Sequence, residues 1–134
     1  MERQDTHPEP EELLPLSPAV FHILLALSSG EHHGYGIMQE IAAATDGQMR
    51  IGPGTLYRSI RQMLGAGMIE ESDERPDPAL DDERRRYYRL TGFGRRVAQV
   101  EAQRLAQLVR AAEARHLLPG AGGVGGAAGI EGVS

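Results

Sequence analysis

Cysteine, tryptophan and lysine are all absent from the 134-residue chain. Without cysteine the chain can form neither disulfides nor thiolate metal sites, and we expect a cytoplasmic protein. No stretch comes near the roughly 18 apolar residues of a membrane span. The first residues are acidic and interrupted by prolines, whereas a signal peptide is basic and then apolar. Aromatic residues make up only 4% of the chain, which favours a small helical domain over a β-sandwich or barrel.

The formal net charge is −5, but the charges are segregated along the chain. All 14 basic residues are arginine, the side chain best suited to paired contacts with phosphate and guanine, and ten of them lie between Arg50 and Arg96. The acidic residues concentrate in the first 31 positions and between Glu70 and Glu83. The overall acidity therefore does not exclude a nucleic-acid partner.

Start and stop signals divide the chain into an ordered series of elements. Ser17 followed by Pro18 is an N-cap followed by an N1 proline, and Thr91 is a second N-cap. We predict helices over 18–27, 35–45, 53–64 and 92–116, and strands over 68–71 and 85–90 that form a hairpin. Three helices followed by a hairpin are the order of a winged helix-turn-helix. The fold class is therefore mainly α with a small β-hairpin (α+β): a winged helix-turn-helix plus a long C-terminal helix.

The predicted organisation has four parts. They are a flexible acidic arm over residues 1–16, a DNA-binding domain over 17–90, a dimerisation helix over 91–117 and a disordered glycine-rich tail over 118–134. The tail carries seven of the 17 glycines from residue 119 onward, a composition typical of flexible segments.

The third helix is the stretch around which the chain is organised. Leu56, Ile60 and Met63 fall on one apolar stripe, while Arg58, Arg61 and Gln62 project roughly opposite. No acidic residue occurs between Arg50 and Ile69. A helix with such a basic face can enter the major groove of DNA, where arginine pairs with guanine and glutamine with adenine. The alternative is that these residues form an ordinary solvated face.

The two tyrosines of the second strand also have two interpretations. Tyr87 and Tyr88 alternate across the strand, so one should face the core and the other the DNA side. Alternatively, both pack the hairpin against the third helix.

The last helix is too long for a small domain to need on its own. Its apolar side carries Phe93, Val97, Val100, Leu105 and Leu108, with two charged residues inside the stripe. We expect this side to pack against a partner subunit and Glu101 to pair with an arginine across the interface. The alternative is a surface helix with an irregular face.

Nothing in the sequence favours an enzyme. The adjacent histidines His32 and His33 lack a third ligand at a metal-binding spacing, and they are more simply part of a turn. No nucleophile elbow and no phosphate-binding glycine loop is present, so Gly34, Gly36, Gly54 and Gly94 are interpreted as turn and close-packing residues. We expect no cofactor and no metal.

Three segments in this order resemble the PadR family of transcriptional regulators. They are HGYGI at His33–Ile37, GPGTLYRSIRQMLGAGMIE at Gly52–Glu70 and RRRYYRLTGFG at Arg84–Gly94. The single long C-terminal helix is similar to the short branch of the family, in which that helix and the first helix form the dimer. The resemblance implies a homodimeric repressor that binds a palindromic operator.

The resemblance also implies roles for individual residues. Thr55 and Tyr57 would lie near DNA at the start of the recognition helix, and the wing strand residues Arg84, Arg85, Arg86 and Tyr87 would contact the backbone or the minor groove. Arg50 and the backbone amides near Tyr35 would bind phosphates. The dimer interface would comprise Val20, Phe21, Leu24, Val97, Val100, Glu101, Arg104, Leu105 and Leu108.

Two further expectations concern partners. Members of the family often respond to a small hydrophobic effector bound near the dimer interface, so such an effector could release this protein from DNA. The acidic wing tip and the overall acidity favour a different function, a winged-helix protein-interaction module that does not bind DNA. Salt dependence of binding distinguishes the two, because neutralising phosphates releases counterions.

Overall fold

The computed structural model describes residues 8–72 and 86–119. A short 3₁₀ helix, Pro10–Leu13, precedes seven elements of regular structure. In chain order these are α1 (Pro18–Ser28), β1 (His32–His33), α2 (Gly34–Ala44), α3 (Pro53–Gly65), β2 (Ile69–Glu71), β3 (Tyr87–Leu90) and α4 (Gly92–Ala114). This is a winged helix followed by a long helix, and it confirms the predicted fold class.

The helices begin at the predicted capping residues. The Ser17 hydroxyl accepts a hydrogen bond from the Val20 N–H at 3.1 Å, and Pro18 occupies the first helical position of α1. The Thr91 hydroxyl accepts from the Gly94 N–H at 2.9 Å at the start of α4. Local chemistry therefore determines where these helices start.

The helix ends use left-handed residues to satisfy their last carbonyls. After α3, Gly67 has φ of 79°, and the N–H groups of Gly67 and Met68 donate to the carbonyls of Leu64 and Met63 at 3.1 and 3.0 Å. This is a Schellman turn, in which glycine avoids the steric cost of positive φ. Asp46, with φ of 57°, has the same role after α2.

The sheet has three strands in the order β1-β3-β2, with both pairings antiparallel. Tyr88 of β3 pairs with His32 on one side and Glu71 on the other. The sequence predicted a two-stranded hairpin and a turn at His32–His33, so β1 corrects that prediction. A two-residue strand has no alternation of its own, and its pairing with β3 depends on residues more than 50 positions away.

The core lies between the three helices of the winged helix, the inner face of the sheet and the first turns of α4. Its most buried members include Ile23, Leu24, Ile37, Leu56 and Met63. Leu56 and Met63 belong to the apolar stripe predicted for α3. Burial of each such side chain contributes about 1.5–3 kcal/mol relative to exposure.

The segment before α1 is part of the fold. Leu13, Leu14 and Leu16 pack against the core, and the Leu16 N–H donates to Oε2 of Glu101 at 3.0 Å. Residues 10–16 therefore differ from the loose arm expected over residues 1–16. Residues 1–7 of that arm lie outside the described residues.

The chain divides into two compact units, one running to Glu101 and the other starting at Ala102. In the first unit, α4 contributes the buried side chains of Phe93, Val97 and Glu101. In the second, α4 ends at Ala114 and His116 has φ of 63°, which allows the Leu117 N–H to donate to the Ala112 carbonyl at 2.8 Å.

Candidate nucleic-acid interface

The outer face of α3 carries exposed polar side chains, as predicted from its stripe. Arg58, Arg61 and Gln62 are exposed, while Leu56 and Ile60 are almost fully buried on the opposite side. The Arg58 guanidinium lies 3.5 Å from the Thr55 hydroxyl, one helical turn away. Within the part of the chain that the structure describes, no carboxylate pairs with Arg58 or Arg61. These cations are therefore available to an anionic partner.

Tyr57 differs from its neighbours on α3. It is half-buried and packs against the core, and its hydroxyl and ring lie so close to Gly34 that a Cβ there would overlap them. Tyr57 thus connects the first turn of α3 to the first turn of α2. Tyr57 therefore lies where the two helices of the helix-turn-helix meet, and the DNA contact expected of it stays a prediction.

The start of α2 is capped by a histidine. Nδ1 of His33 accepts a hydrogen bond from the Gly36 N–H at 2.9 Å, and the ring meets Tyr87 edge to face with centroids 5.3 Å apart. The accepting nitrogen must be unprotonated, so a neutral His33 carries its proton on Nε2. Tyr35, in the first turn, is 59% exposed. The phosphate contact expected near Tyr35 must therefore use first-turn amides other than that of Gly36.

The arginines at the base of the wing are paired with carboxylates of the same chain. The Arg86 guanidinium lies 3.3 Å from Glu71, and the Arg89 guanidinium lies 2.9 Å from Glu70 and 3.5 Å from Glu31. All these side chains remain well exposed, so each pair is weak. The hydrogen bond to Glu70 raises the pKa of Arg89, desolvation opposes this, and Glu31 adds to it.

The remaining residues of the predicted interface are Arg50, two arginines of the wing and the tyrosines of β3. Arg50 is exposed in the linker between α2 and α3, next to the buried Ile51, so it remains a candidate phosphate contact. Arg84 and Arg85, together with the acidic wing tip, lie outside the described residues. Tyr87 is half-buried while Tyr88 is 3% exposed, so Tyr88 is the tyrosine that faces the core.

Comparison with known proteins decides the family. The profile of the family described as "Transcriptional regulator PadR-like family" matches residues 23–100, more than half of the chain. This chain belongs to the PadR-like family. Members of this family are transcriptional regulators, which confirms the prediction that the chain is not an enzyme.

Solved structures share the fold of this PadR-like chain. A transcriptional regulator from Clostridium thermocellum superposes with a TM-score of 0.60 at 24% identity, covering 71% of this chain and 86% of its own. A PadR family transcription regulator from Clostridium difficile gives 0.60 at 18% identity, with coverages of 72% and 96%. A MarR family regulator from Neisseria meningitidis gives 0.51 at 21% identity, with coverages of 75% and 65%. No curated protein matches the chain.

Several residues assigned to the dimer interface belong to the core of the PadR-like chain itself. Val20, Leu24, Val97 and Glu101 are at most 3% exposed within the single chain, so the assignment of these four to a partner-facing surface is wrong. The faces of α1 and α4 that carry these residues are buried against the same chain. Glu101, expected to pair across the interface, instead accepts from the Leu16 N–H. Of the others, Phe21, Val100, Arg104 and Leu105 are half-buried and Leu108 is 54% exposed.

A shallow groove lies between α1 and α2. Its volume is about 150 Å³, and it is lined by His22, Leu25, Ala26, Glu40, Ile41, Ala44 and Thr45. Sites for small organic ligands are larger, roughly 300–1,000 Å³. An effector of that size would need further walls, such as those a second subunit would supply.

The described residues hold no group of histidine and acidic side chains that could bind a metal ion. Within the same residues, no helix is both long enough and apolar enough to cross a membrane.

Two features of the site were not predicted from the sequence. The carboxylate partners of Arg86 and Arg89 come from β2 and from the residue before β1, so they require the strand register. The position of Tyr57 over Gly34 requires the angle between α2 and α3. Neither the pattern of the segment EHHG nor the size of Tyr57 predicts these contacts from the local sequence.

Proposed function

We propose that this PadR-like protein is a sequence-specific DNA-binding transcriptional regulator that acts as a homodimeric repressor on a palindromic operator. In this function α3 lies in the major groove, and the residues that contact base edges are Arg58, Arg61 and Gln62. Thr55, which lies next to Arg58, and Arg50 are candidate contacts to the sugar-phosphate backbone.

The observation that carries the proposal is the outer face of α3. It presents two exposed guanidinium groups and an amide on a rigid helix whose other face is buried, and no described carboxylate neutralises them. Arginine and glutamine are the side chains that make bidentate contacts to guanine and adenine. An ordinary solvated helix face usually mixes both charge signs, whereas this one has no acidic residue from Arg50 to Ile69.

Backbone contacts would add affinity that does not depend on sequence. The start of α2 combines the first-turn amides other than that of Gly36 with the exposed Tyr35, and a helix N-terminus favours phosphate oxygens. The wing would contribute through Arg86 and Tyr87. Because Arg86 is paired with Glu71, we expect its contribution to be smaller than that of a free arginine.

Dimerisation would use surfaces that the single chain leaves accessible. On α1 this is Phe21, and on α4 these are Val100, Arg104, Leu105 and the exposed Leu108. Two copies related by a twofold axis would contact half-sites about one helical turn, roughly 34 Å, apart. A small hydrophobic effector bound where the subunits meet could then release the protein from DNA by changing that spacing.

Fluorescence anisotropy tests the proposal directly. The purified chain is titrated onto DNA from upstream of its own gene and onto a random duplex, each at about 50 and 200 mM salt. We expect preference for the upstream DNA and, for six phosphate contacts, an affinity loss on the order of 10³-fold between the two salt concentrations. A folded protein that binds neither duplex at the lower salt concentration would overturn the proposal.

A second candidate function is a protein-interaction module with the winged-helix shape. It is favoured by the pairing of Arg86 and Arg89 with Glu71, Glu70 and Glu31, because these pairs reduce the positive charge of the wing. The same titration distinguishes it, since a module of this kind would show no steep salt-dependent binding to either duplex.

A further inference from the structure

Two parts of the fold meet at the turn that follows α3. This turn, Ala66–Met68, ends the proposed recognition helix and leads into β2. The first turn of α4 begins at Gly92, directly after β3, and packs against the same turn. All of these residues lie within the unit that ends at Glu101.

The hydroxyl of Thr91 serves both sides of this junction. It accepts a hydrogen bond from the Gly94 N–H at 2.9 Å and so caps α4. It donates its own proton to the Gly67 carbonyl oxygen at 2.6 Å, a bond shared with the Met68 carbonyl oxygen at 3.1 Å. The Thr91 N–H adds a further hydrogen bond to the Met68 carbonyl at 3.1 Å.

Gly94 brings the backbones together. A Cβ at this position would overlap the Met68 carbonyl oxygen and carbon, which are backbone atoms that cannot turn aside. The residue is buried, so the first turn of α4 lies directly on the turn after α3. Any larger side chain at position 94 must push the two apart.

The turn held by Thr91 is also the turn that closes α3. Met68 donates its N–H to Met63 of α3, while its carbonyl accepts from Thr91. Gly67 likewise donates to Leu64 of α3 and accepts from Thr91. Each of these two residues therefore connects the last turn of α3 to the start of α4.

We propose that Thr91 is a positioning residue, which fixes the orientation of the recognition helix α3 relative to the first turns of α4. This inference rests on the proposed function, because an orientation matters only if the face of α3 contacts base edges. Base contacts tolerate little displacement of the helix that carries them, as positioned groups must be held within about 0.5 Å. A structural change in α4 would reach α3 through this junction.

The test compares variants by their discrimination between the upstream DNA and a random duplex. Thr91→Val removes the hydroxyl while retaining the shape, Thr91→Ser retains the hydroxyl, and Gly94→Ala inserts a methyl group at the contact. We expect Thr91→Val and Gly94→Ala to lower the specificity ratio at least about fivefold, the equivalent of one base contact, and Thr91→Ser to preserve it.

Ser17→Ala is the matched control. It also removes a helix-capping hydroxyl, but at the start of α1, where the cap reaches only Val20. Measurements are made at a temperature at which circular dichroism shows every variant folded. If Ser17→Ala and Thr91→Val lower the specificity ratio equally, the effect is a general loss of stability and the proposal is overturned. If Gly94→Ala does not fold, Thr91→Val alone decides.

Amide hydrogen exchange gives a readout without DNA, which separates this inference from the proposed function. In Thr91→Val we expect the amides of Gly94 and of Met68 to lose protection together, because the first belongs to α4 and the second closes α3. Loss of protection at Gly94 alone would reduce Thr91 to a simple cap of α4 and overturn the proposal. Joint loss of protection in a protein that shows no DNA preference would support the junction and contradict only the DNA-binding function.

Discussion

The phenolic hydroxyl of Tyr57 lies directly over the backbone of Gly34, close enough that Gly34 has no room for a side chain. Tyr57 belongs to the first turn of α3 and Gly34 begins α2. The contact therefore joins the two helices of the helix-turn-helix at the ends where the proposed phosphate and base contacts start. The glycine is required here by close packing, since its backbone has ordinary negative φ.

Adding a methyl group at this contact should destabilise the domain. We expect Gly34→Ala to lower the free energy of unfolding by about 1–3 kcal/mol, because the added Cβ overlaps the Tyr57 ring and hydroxyl. Urea denaturation monitored by circular dichroism measures the change. Tyr57→Leu in the Gly34→Ala background should recover part of the loss. An additive double variant would show that the two residues do not interact.

Arg61 should distinguish the operator from random DNA. Its guanidinium is exposed on the outer face of α3, where a bidentate contact to guanine is worth about 1–3 kcal/mol of discrimination. We expect Arg61→Ala to weaken binding to the upstream duplex more than to a random duplex in the anisotropy titration. Arg110→Ala, which removes an exposed arginine from α4, serves as the control. Equal weakening on both duplexes would reassign Arg61 to a phosphate contact.

The elements of this fold could be predicted from the sequence where local chemistry determines them. Ser17-Pro18, Pro53, Gly67 and Thr91 mark helix ends through their own hydrogen bonds or dihedral angles, and the corresponding helices were predicted to within a few residues. Strand β1 was missed because two residues carry no periodicity, and only the register with Tyr87 and Tyr88 makes a strand of them.

The candidate site could be predicted only in part for a related reason. The stripe of α3 identified which side chains are exposed, because it depends on helical periodicity alone. The stripe of α4 did not reveal whether it packs against the same chain or a second one, so Val97 was assigned to a partner, as Leu24 of α1 was by the family resemblance. Leu13, Leu14 and Leu16 lie between prolines without a periodic pattern, and their packing on the core had no signal in the sequence.

Glu71 should weaken the contribution of Arg86 to DNA binding. The carboxylate 3.3 Å from the guanidinium competes with a phosphate for the same cation. We expect Glu71→Gln to tighten binding to a random duplex about two- to fivefold at 50 mM salt, since an exposed ion pair is worth at most about 1 kcal/mol. The gain should shrink at 200 mM salt, where screening is stronger.

The control for this effect is the same substitution without its partner. In an Arg86→Gln background, Glu71→Gln should change the affinity little if it acts through Arg86. An equal gain in both backgrounds would mean that Glu71 repels DNA through its own charge. The double-variant cycle thus separates competition for one arginine from a general change in net charge.

Glu101 should stabilise the single chain rather than the contact between subunits. Its side chain is 2% exposed, and Oε2 accepts a hydrogen bond from the Leu16 N–H. Glu101→Ala would leave this N–H without its acceptor and should cost about 1–3 kcal/mol of unfolding free energy, whereas Glu101→Gln keeps an acceptor oxygen and should cost less. Gln99→Ala, an exposed position on α4, is the control.

Unfolding is measured at two protein concentrations alongside the mass by light scattering, because a subunit contact makes stability depend on concentration. The prediction is contradicted if Glu101→Ala leaves the unfolding free energy per chain unchanged but abolishes the dimer. Glu101 would then belong to the subunit interface.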